Sequence, residues 1–186
     1  LGDAVKNGNL LTRLSFFILG LGNLVNRQLV RGFVFLGLEA AYVYYMAAFG
    51  AQALVNMTTL GTVEQGKVYN EALGIYEYAA GDNSMLFLLY GVITLALSLA
   101  FLFAACMSLK SAYCTQLRLE KGMPVPKFKD DLRSIREENL HTAMLALPIA
   151  GIIIFTIIPL VFMILIAFTS YDHEHQPPGN LFTWVG

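Results

Sequence analysis

The sequence predicts an all-α integral membrane protein with three transmembrane helices and interfacial amphipathic helices, on the basis of its composition and the placement of its charges. Of the 186 residues, 56% are hydrophobic and only 13% are charged, whereas soluble globular chains carry roughly 25% charged residues. Three stretches contain no Asp, Glu, Lys or Arg: residues 40–63, 83–109 and 139–171. Each exceeds the roughly 20 residues that a helix needs to cross a bilayer. This composition excludes an ordinary soluble domain.

The first segment, residues 1–32, is predicted to lie in the cytoplasm and at the membrane interface. Its apolar block from Leu14 to Val25 would form only about 18 Å of helix, which is too short to cross the membrane. An interfacial position would let three arginines reach lipid phosphates: Arg13, Arg27 and Arg31. Burial of the block against other helices is the alternative.

The first transmembrane helix is predicted over residues 33–57. Its middle carries three tyrosines: Tyr42, Tyr44 and Tyr45. Glu39 lies about two turns inside it, where an ionised carboxylate is costly and must face protein, water or lipid headgroups. We favour an outward reach, or a pair with Arg31 or a neighbouring helix, over a proton relay, because Glu39 is the only carboxylate within the predicted spans.

Residues 58–83 are predicted to form an extracellular loop with a short helix over Asn70–Ala80. The loop is acidic, with four carboxylates against the single Lys67: Glu64, Glu71, Glu77 and Asp82. Its tyrosines are predicted to anchor at the membrane interface, and stacking on a sugar face is the alternative. These tyrosines are Tyr69, Tyr76 and Tyr78.

The second transmembrane helix is predicted over residues 84–108. Its small residues would let neighbouring helices approach closely: Gly91, Ser98, Ala100, Ala104 and Ala105. A basic cytoplasmic segment follows over residues 109–142, with a helix break at Gly122-Met123-Pro124-Val125-Pro126. After the break, the spacing of Phe128, Leu132 and Ile135 predicts an amphipathic interfacial helix, and contact with a cytoplasmic partner protein is the alternative.

The third transmembrane helix is predicted over residues 143–170, with kinks at Pro148 and Pro159 because each proline removes a backbone donor. Residues 171–186 are predicted to form an extracellular connector that turns at Pro177-Pro178-Gly179. In this connector Phe182 and Trp184 would anchor at the membrane interface.

Lysine and arginine counts predict the orientation of the chain. Four precede the first helix, one lies in residues 58–83, seven lie in residues 109–142, and none follows Ser170. The positive-inside rule therefore places the N-terminus and residues 109–142 in the cytoplasm, with the loop and the C-terminus outside.

Few residues suggest chemistry. The chain contains no G-x-x-x-x-G-K-[ST] loop, so we expect that it does not hydrolyse ATP. In the predicted topology His141 lies inside while His173 and His175 lie outside, so no shared metal or base is expected. Cys106 and Cys114 lack metal-ligand spacing. The predicted site therefore has no catalytic residue, no metal and no cofactor.

Two segments resemble a known family: LHTAMLALPIAGIIIFTIIPLVFMILIAFTSYDHEHQPPGNLFTWVG, at residues 140–186, and GDNSMLFLLYGVITLALSLAF, at residues 81–101. They resemble the MalF-type permease subunit of bacterial, especially Gram-positive, maltose and maltodextrin ABC importers. In that family a long helix with two prolines, here Pro148 and Pro159, leads to an external Tyr-Asp segment and a Phe-Thr-Trp-Val-Gly entry to the transport core. The resemblance covers residues 83–186 well and the N-terminal third more loosely.

The resemblance implies a plasma-membrane importer with a second permease subunit, a cytoplasmic ATPase dimer and an extracellular sugar-binding lipoprotein, and no nucleic acid. The chain departs from the family at the ATPase-coupling loop, E-A-A-x-x-D-G-A. Its only Glu-Ala-Ala, Glu39-Ala40-Ala41, lies inside the first predicted helix, and Tyr44 stands where the motif has Asp.

The resemblance places the substrate-binding residues beyond Gly186 and suggests that the chain is the N-terminal portion of a permease. A free-standing three-span assembly or regulatory protein is the alternative function.

Overall fold

The computed structural model describes residues 2, 8–26, 28–79, 81–126, 128–137, 140–177 and 180–185. Within these residues the fold is helical apart from one small sheet, which confirms the all-α membrane class. The chain divides into two compact units: Leu1–Met46 with Leu97–Ile149, and Ala47–Ala96 with Ala150–Gly186.

The N-terminal segment contains two short helices, α1 (Leu10–Leu14) and α2 (Leu21–Val25). Gly20 adopts a φ of +79° before α2, in the left-handed region that favours glycine. A side chain at Gly20 would collide with the backbone of Gly32. Glycine at position 20 therefore serves both the turn and the close approach of two backbones.

Three helices are long and apolar enough to cross a membrane: Leu29–Thr59, Ser84–Glu120 and Leu140–Ile166. The first comprises α3 (Leu29–Tyr45), a π-helical turn over Met46–Gly50, and α4 (Ala51–Thr59). These helices confirm the three predicted spans. The first two extend beyond their predicted ranges, and the third begins three residues earlier and ends four residues earlier than predicted.

Residues 58–83 contain a β-hairpin, so the helix predicted over Asn70–Ala80 is wrong. Strands β1 (Gly66–Asn70) and β2 (Ile75–Ala79) pair antiparallel around a tight turn. Gly74 completes the turn with a φ of +63°. The hairpin is consistent with the β-branched and aromatic residues of both strands, which favour strand over helix.

The second long helix, α5 (Ser84–Glu120), continues twelve residues past the predicted end of its span. It stops where the sequence predicts a break. Gly122 has a φ of +67°, and the Met123 N–H donates to the Arg118 carbonyl at 2.9 Å, the hydrogen bond of a Schellman cap. Hydropathy therefore predicted the part of α5 that is apolar enough for the bilayer, and Gly122 predicted where the helix ends.

The amphipathic segment forms α6 (Phe128–Glu137), as the spacing of its apolar residues predicted. The third long helix comprises α7 (Leu140–Ile152), a π-helical turn over Ile153–Ile157, and α8 (Ile158–Ile166). Helix α7 continues through Pro148. The π turn lies directly before Pro159, where the missing proline N–H disturbs the regular hydrogen-bonding pattern.

The core of the second unit is centred on Phe182, Leu60 and Leu88, which are fully buried together. Trp184 packs against this cluster, and its indole N–H donates to the Met57 carbonyl at 3.1 Å. The prediction that Phe182 anchors at the membrane interface is therefore wrong, because the connector folds back and buries its ring in protein. For Trp184, which is only partly buried, interfacial anchoring stays a prediction. Pro178 and Gly179, from the predicted turn, lie outside the described residues.

Candidate functional site

In the first unit, polar side chains of α5 hold the N-terminal helices. The Ser108 hydroxyl accepts the Gly20 N–H at 2.8 Å. The Gln116 amide oxygen accepts the Thr12 hydroxyl at 2.8 Å and the Asn9 N–H at 3.0 Å. These contacts show that one face of the segment is buried against helices, which is the alternative that the sequence left open.

Part of the N-terminal segment remains exposed. Phe17 is 74% exposed, and its ring contacts Phe16 edge to face. Arg27, one of the three arginines predicted to reach phosphates, lies outside the described residues. The segment therefore combines a polar face against protein with exposed aromatic surface.

Glu39 faces protein, as predicted, but its described partner lies in the loop between α1 and α2, not on Arg31 or a neighbouring helix. Its carboxylate accepts the backbone N–H of Leu19 at 2.9 Å. One turn further along α3, the Tyr42 hydroxyl donates to Ser98 at 2.9 Å, and the Tyr42 ring stacks on Phe101. These contacts join α3 to the N-terminal segment and to α5.

A polar cleft of about 690 Å³ opens in the second unit. It is lined mainly by hydroxyl, carboxylate and imidazole groups: Thr62, Glu64, Ser170, His175 and Thr183. Such groups can donate and accept hydrogen bonds to a polyhydroxylated molecule. The arrangement is suited to binding or passage of a polar solute and contains no paired nucleophile and base among the described lining residues.

Two aspartates accept hydrogen bonds from the backbone of the loops around the cleft. The Asp82 carboxylate accepts the Thr62 N–H at 2.8 Å and the Val63 N–H at 3.0 Å. These backbone donors lower the pKa of Asp82 below its ordinary value, because they stabilise the ionised form.

The Asp172 carboxylate lies 2.7 Å from the His175 ring nitrogen and also accepts the His175 N–H. The side-chain contact with His175, followed by backbone donors, lowers the pKa of Asp172. His175 is thus oriented at the edge of the cleft. His141 and His173 do not line this cleft, and the described residues contain no group of three possible metal ligands.

The three loop tyrosines share one face of the hairpin. Tyr69 pairs directly with Tyr76 across the strands, with ring centroids 5.1 Å apart, and Lys67 pairs with Tyr78. Tyr76 and Tyr78 are each 70% exposed. This aromatic face can meet a membrane interface or a sugar, the two alternatives that the sequence left open.

Sequence reasoning missed the cleft because its lining residues come from segments far apart in the chain. Thr62 and Ser170 carry no motif, and Thr183 lies in the Phe-Thr-Trp-Val-Gly run, whose pattern does not point to a cleft. The cleft depends on the return of the connector, where the Ser170 N–H donates to the Thr183 carbonyl at 2.8 Å. Local sequence patterns, such as alternating apolar and polar residues, predict a strand. They do not predict that a connector folds back to pair Thr183 with Ser170.

The described structure is that of a multi-pass helical membrane protein with a polar cleft and no evident catalytic group. The chain is 32% identical over 168 residues to the maltodextrin transport system permease protein MalC of Streptococcus pneumoniae; the match covers 90% of this chain and 35% of that protein. It is 28% identical, with the same coverage, to the maltodextrin transport system permease protein MdxF of Bacillus subtilis.

A third relative is the galactooligosaccharides transport system permease protein GanP of Bacillus subtilis, 31% identical over 90% of this chain and 36% of that protein. The chain thus spans about a third of the length of these relatives. No protein-family model and no solved structure matches it.

These matches confirm the resemblance to MalF-type permeases: the chain is a relative of bacterial oligosaccharide permeases. The names describe transport proteins, in agreement with the expectation that the chain is not an enzyme. Permease relatives and three apolar helices together indicate a multi-pass plasma-membrane protein.

Proposed function

We propose that this chain forms part of the permease of a bacterial ABC importer for maltodextrin-type oligosaccharides. The observation that carries the proposal is the similarity to three oligosaccharide permeases over 90% of the chain. The three long apolar helices support it. ATP would be hydrolysed by separate cytoplasmic subunits, and this chain would contribute membrane structure to alternating access.

The surface of the third long helix supports assembly with other membrane helices. Its most apolar window contains no buried residue among those described. Phe155 and Leu147, for example, are 80% and 81% exposed. Lipid or further helices must cover this surface, because exposing so large an apolar surface to water is energetically unfavourable. A second permease subunit would supply such helices.

The charge distribution supports a cytoplasmic N-terminus. Seven lysines and arginines lie in residues 109–142 against one in residues 58–83, and the more basic segments stay in the cytoplasm. In this orientation the hairpin and the polar cleft face the outside. They would then lie where an extracellular sugar-binding lipoprotein delivers its cargo.

The cleft fits the proposed substrate class through its hydrogen-bonding groups. Oligosaccharides present many hydroxyls that both donate and accept, and the Thr183 and Ser170 side chains do the same. The main substrate-binding residues would nevertheless lie in parts of the permease that this chain does not span. The cleft would guide the sugar or its carrier protein and would not select the sugar.

Uptake of labelled maltotriose tests the function directly. Cells that lack the full-length gene should lose uptake, and the intact gene should restore it. Undiminished uptake in the deleted strain removes the maltodextrin proposal. Loss of labelled galactooligosaccharide uptake alone would assign the other substrate class found among the relatives. If neither sugar is affected, a free-standing assembly or regulatory role replaces the importer.

A further inference from the structure

A second cavity, of about 340 Å³, lies in the first unit, and nothing described so far uses it. Two arginines on different helices line it, Arg31 on α3 and Arg118 on α5. Asp130 and Ser134 of α6 line it as well. We call this space the arginine cavity.

The arginine cavity lies next to the ends of two apolar stretches, where lipid headgroups would be expected. Arg31 stands two residues before the first predicted span, and its guanidinium lies 3.4 Å from the Ser111 hydroxyl. Ser111 comes two residues after the uncharged stretch 83–109. The ends of two apolar stretches therefore meet at Arg31. Arg118 lies about two turns beyond Ser111 on α5. Its own long side chain can extend back along the helix toward Ser111.

The charges of the cavity favour a singly charged anion. Among the lining residues that the structure describes, two guanidinium groups and the carboxylate of Asp130 give a net charge of +1 (two positive and one negative). Guanidinium groups bind phosphate oxygens through paired hydrogen bonds. Arg118 is exposed, and in the part of the chain that the structure describes its guanidinium has no hydrogen-bonding or ionic partner.

We propose that the arginine cavity binds a phosphate group, with the phosphodiester of an anionic phospholipid as its expected source. A phosphodiester carries one negative charge and would balance the net charge of the described lining residues. Basic pockets between transmembrane helices are suited to such headgroups. Bound lipid would link α3, α5 and α6 at the membrane surface. The proposal does not depend on what the permease transports.

Native mass spectrometry of the full chain in nonionic detergent tests the site, with phosphatidylglycerol, phosphatidylcholine and inorganic phosphate as separate probes. Phosphatidylglycerol should bind more tightly than phosphatidylcholine. Arg118→Gln should weaken that binding by about fivefold, since one basic side chain contributes about 1 kcal/mol. Arg31→Gln should have a similar effect. Arg118→Lys should have a smaller effect, because it keeps the positive charge and loses only the paired hydrogen bonds.

Lys121→Gln provides the matched control, because it removes the same charge three residues from Arg118 without altering the described cavity lining. Binding by this variant should be unchanged. Equal binding of the two lipids together with no phosphate binding that Arg118→Gln weakens, or an equal loss with Lys121→Gln, would overturn the proposal in favour of general charge attraction. Binding of inorganic phosphate that Arg118→Gln weakens, without a preference between lipids, would support the anion site and assign soluble phosphate as its source. Unchanged thermal unfolding of Arg118→Gln shows that the variant is folded.

Discussion

At the scale of single residues, Glu39 shows how a membrane carboxylate can have a structural purpose. The sequence predicted that Glu39 needs a protein, water or headgroup environment, because its charge is costly in hydrocarbon. The structure supplies a backbone N–H from Leu19. Leu19 could not be predicted as the partner of Glu39. The two residues are 20 positions apart, and the chain turns between them, so helical periodicity does not relate them.

Replacement of Glu39 separates this structural role from a proton relay. Glu39→Ala should lower stability by about 1–3 kcal/mol, because the Leu19 N–H loses its acceptor. Glu39→Gln keeps an amide oxygen at that place and should retain most of the stability. Thermal unfolding in detergent measures both, with the exposed Glu71→Ala as control. Loss of sugar uptake by a stable Glu39→Gln permease would instead support a relay.

Asp82 predicts a local dependence on pH. Backbone donors from Thr62 and Val63 lower its pKa in the folded state, so the folded protein binds this proton less readily than the unfolded chain. The stabilising contribution is therefore present above the ordinary value of 3.8 and is lost as pH falls through the lower folded pKa. Hydrogen exchange at the Thr62 and Val63 amides should accelerate in that acid range, relative to the intrinsic exchange rate.

Asp82→Asn should remove this acid dependence and weaken the protection of both amides at neutral pH. Glu71→Gln is the matched control, since it removes a carboxylate from the exposed hairpin turn and should leave the two amides unchanged. Equal amide protection in the wild type at neutral and acid pH would contradict the role assigned to Asp82.

At the scale of elements, the sequence predicted helices better than the loop. The three spans follow from uncharged stretches, and Gly122 marks the end of α5. The hairpin was mispredicted although Lys67-Val68-Tyr69-Asn70 and Ile75-Tyr76-Glu77-Tyr78 show strand-like composition. The short intervening run Glu71-Ala72-Leu73 favours helix locally, and cross-strand pairing overrides that preference.

Gly91 tests the predicted close approach between spanning helices. A Cβ at position 91 would collide with the Cβ and side-chain atoms of Met57. Gly91→Ala should therefore destabilise the second unit by about 1–3 kcal/mol through overpacking. Gly37→Ala is the control, because no described atom lies within 4 Å of its added Cβ and alanine favours helix. Thermal unfolding should separate the two variants, and equal midpoints would exclude the tight contact.

At the scale of the whole molecule, charge placement predicts which stretches enter the membrane but not how the polar segments fold. The connector at residues 171–186 shows the difference. Its aromatic residues have the composition of an interfacial anchor, yet Phe182 is fully buried with Leu60 and Leu88. Such contacts depend on residues more than ninety positions apart, and local patterns contain no information on them.

Reporter fusions to the permease test the proposed orientation. Because lysine and arginine are concentrated before the first span and in residues 109–142, green fluorescent protein fused after Met123 should fluoresce in the cytoplasm. Alkaline phosphatase fused after Ser170 should be active outside, because the segment after the third span contains no lysine or arginine. Exchanging the two reporters at each position provides the control, since each should then be inactive. A fluorescent fusion after Ser170 would invert the topology and place the hairpin, with its three tyrosines, in the cytoplasm.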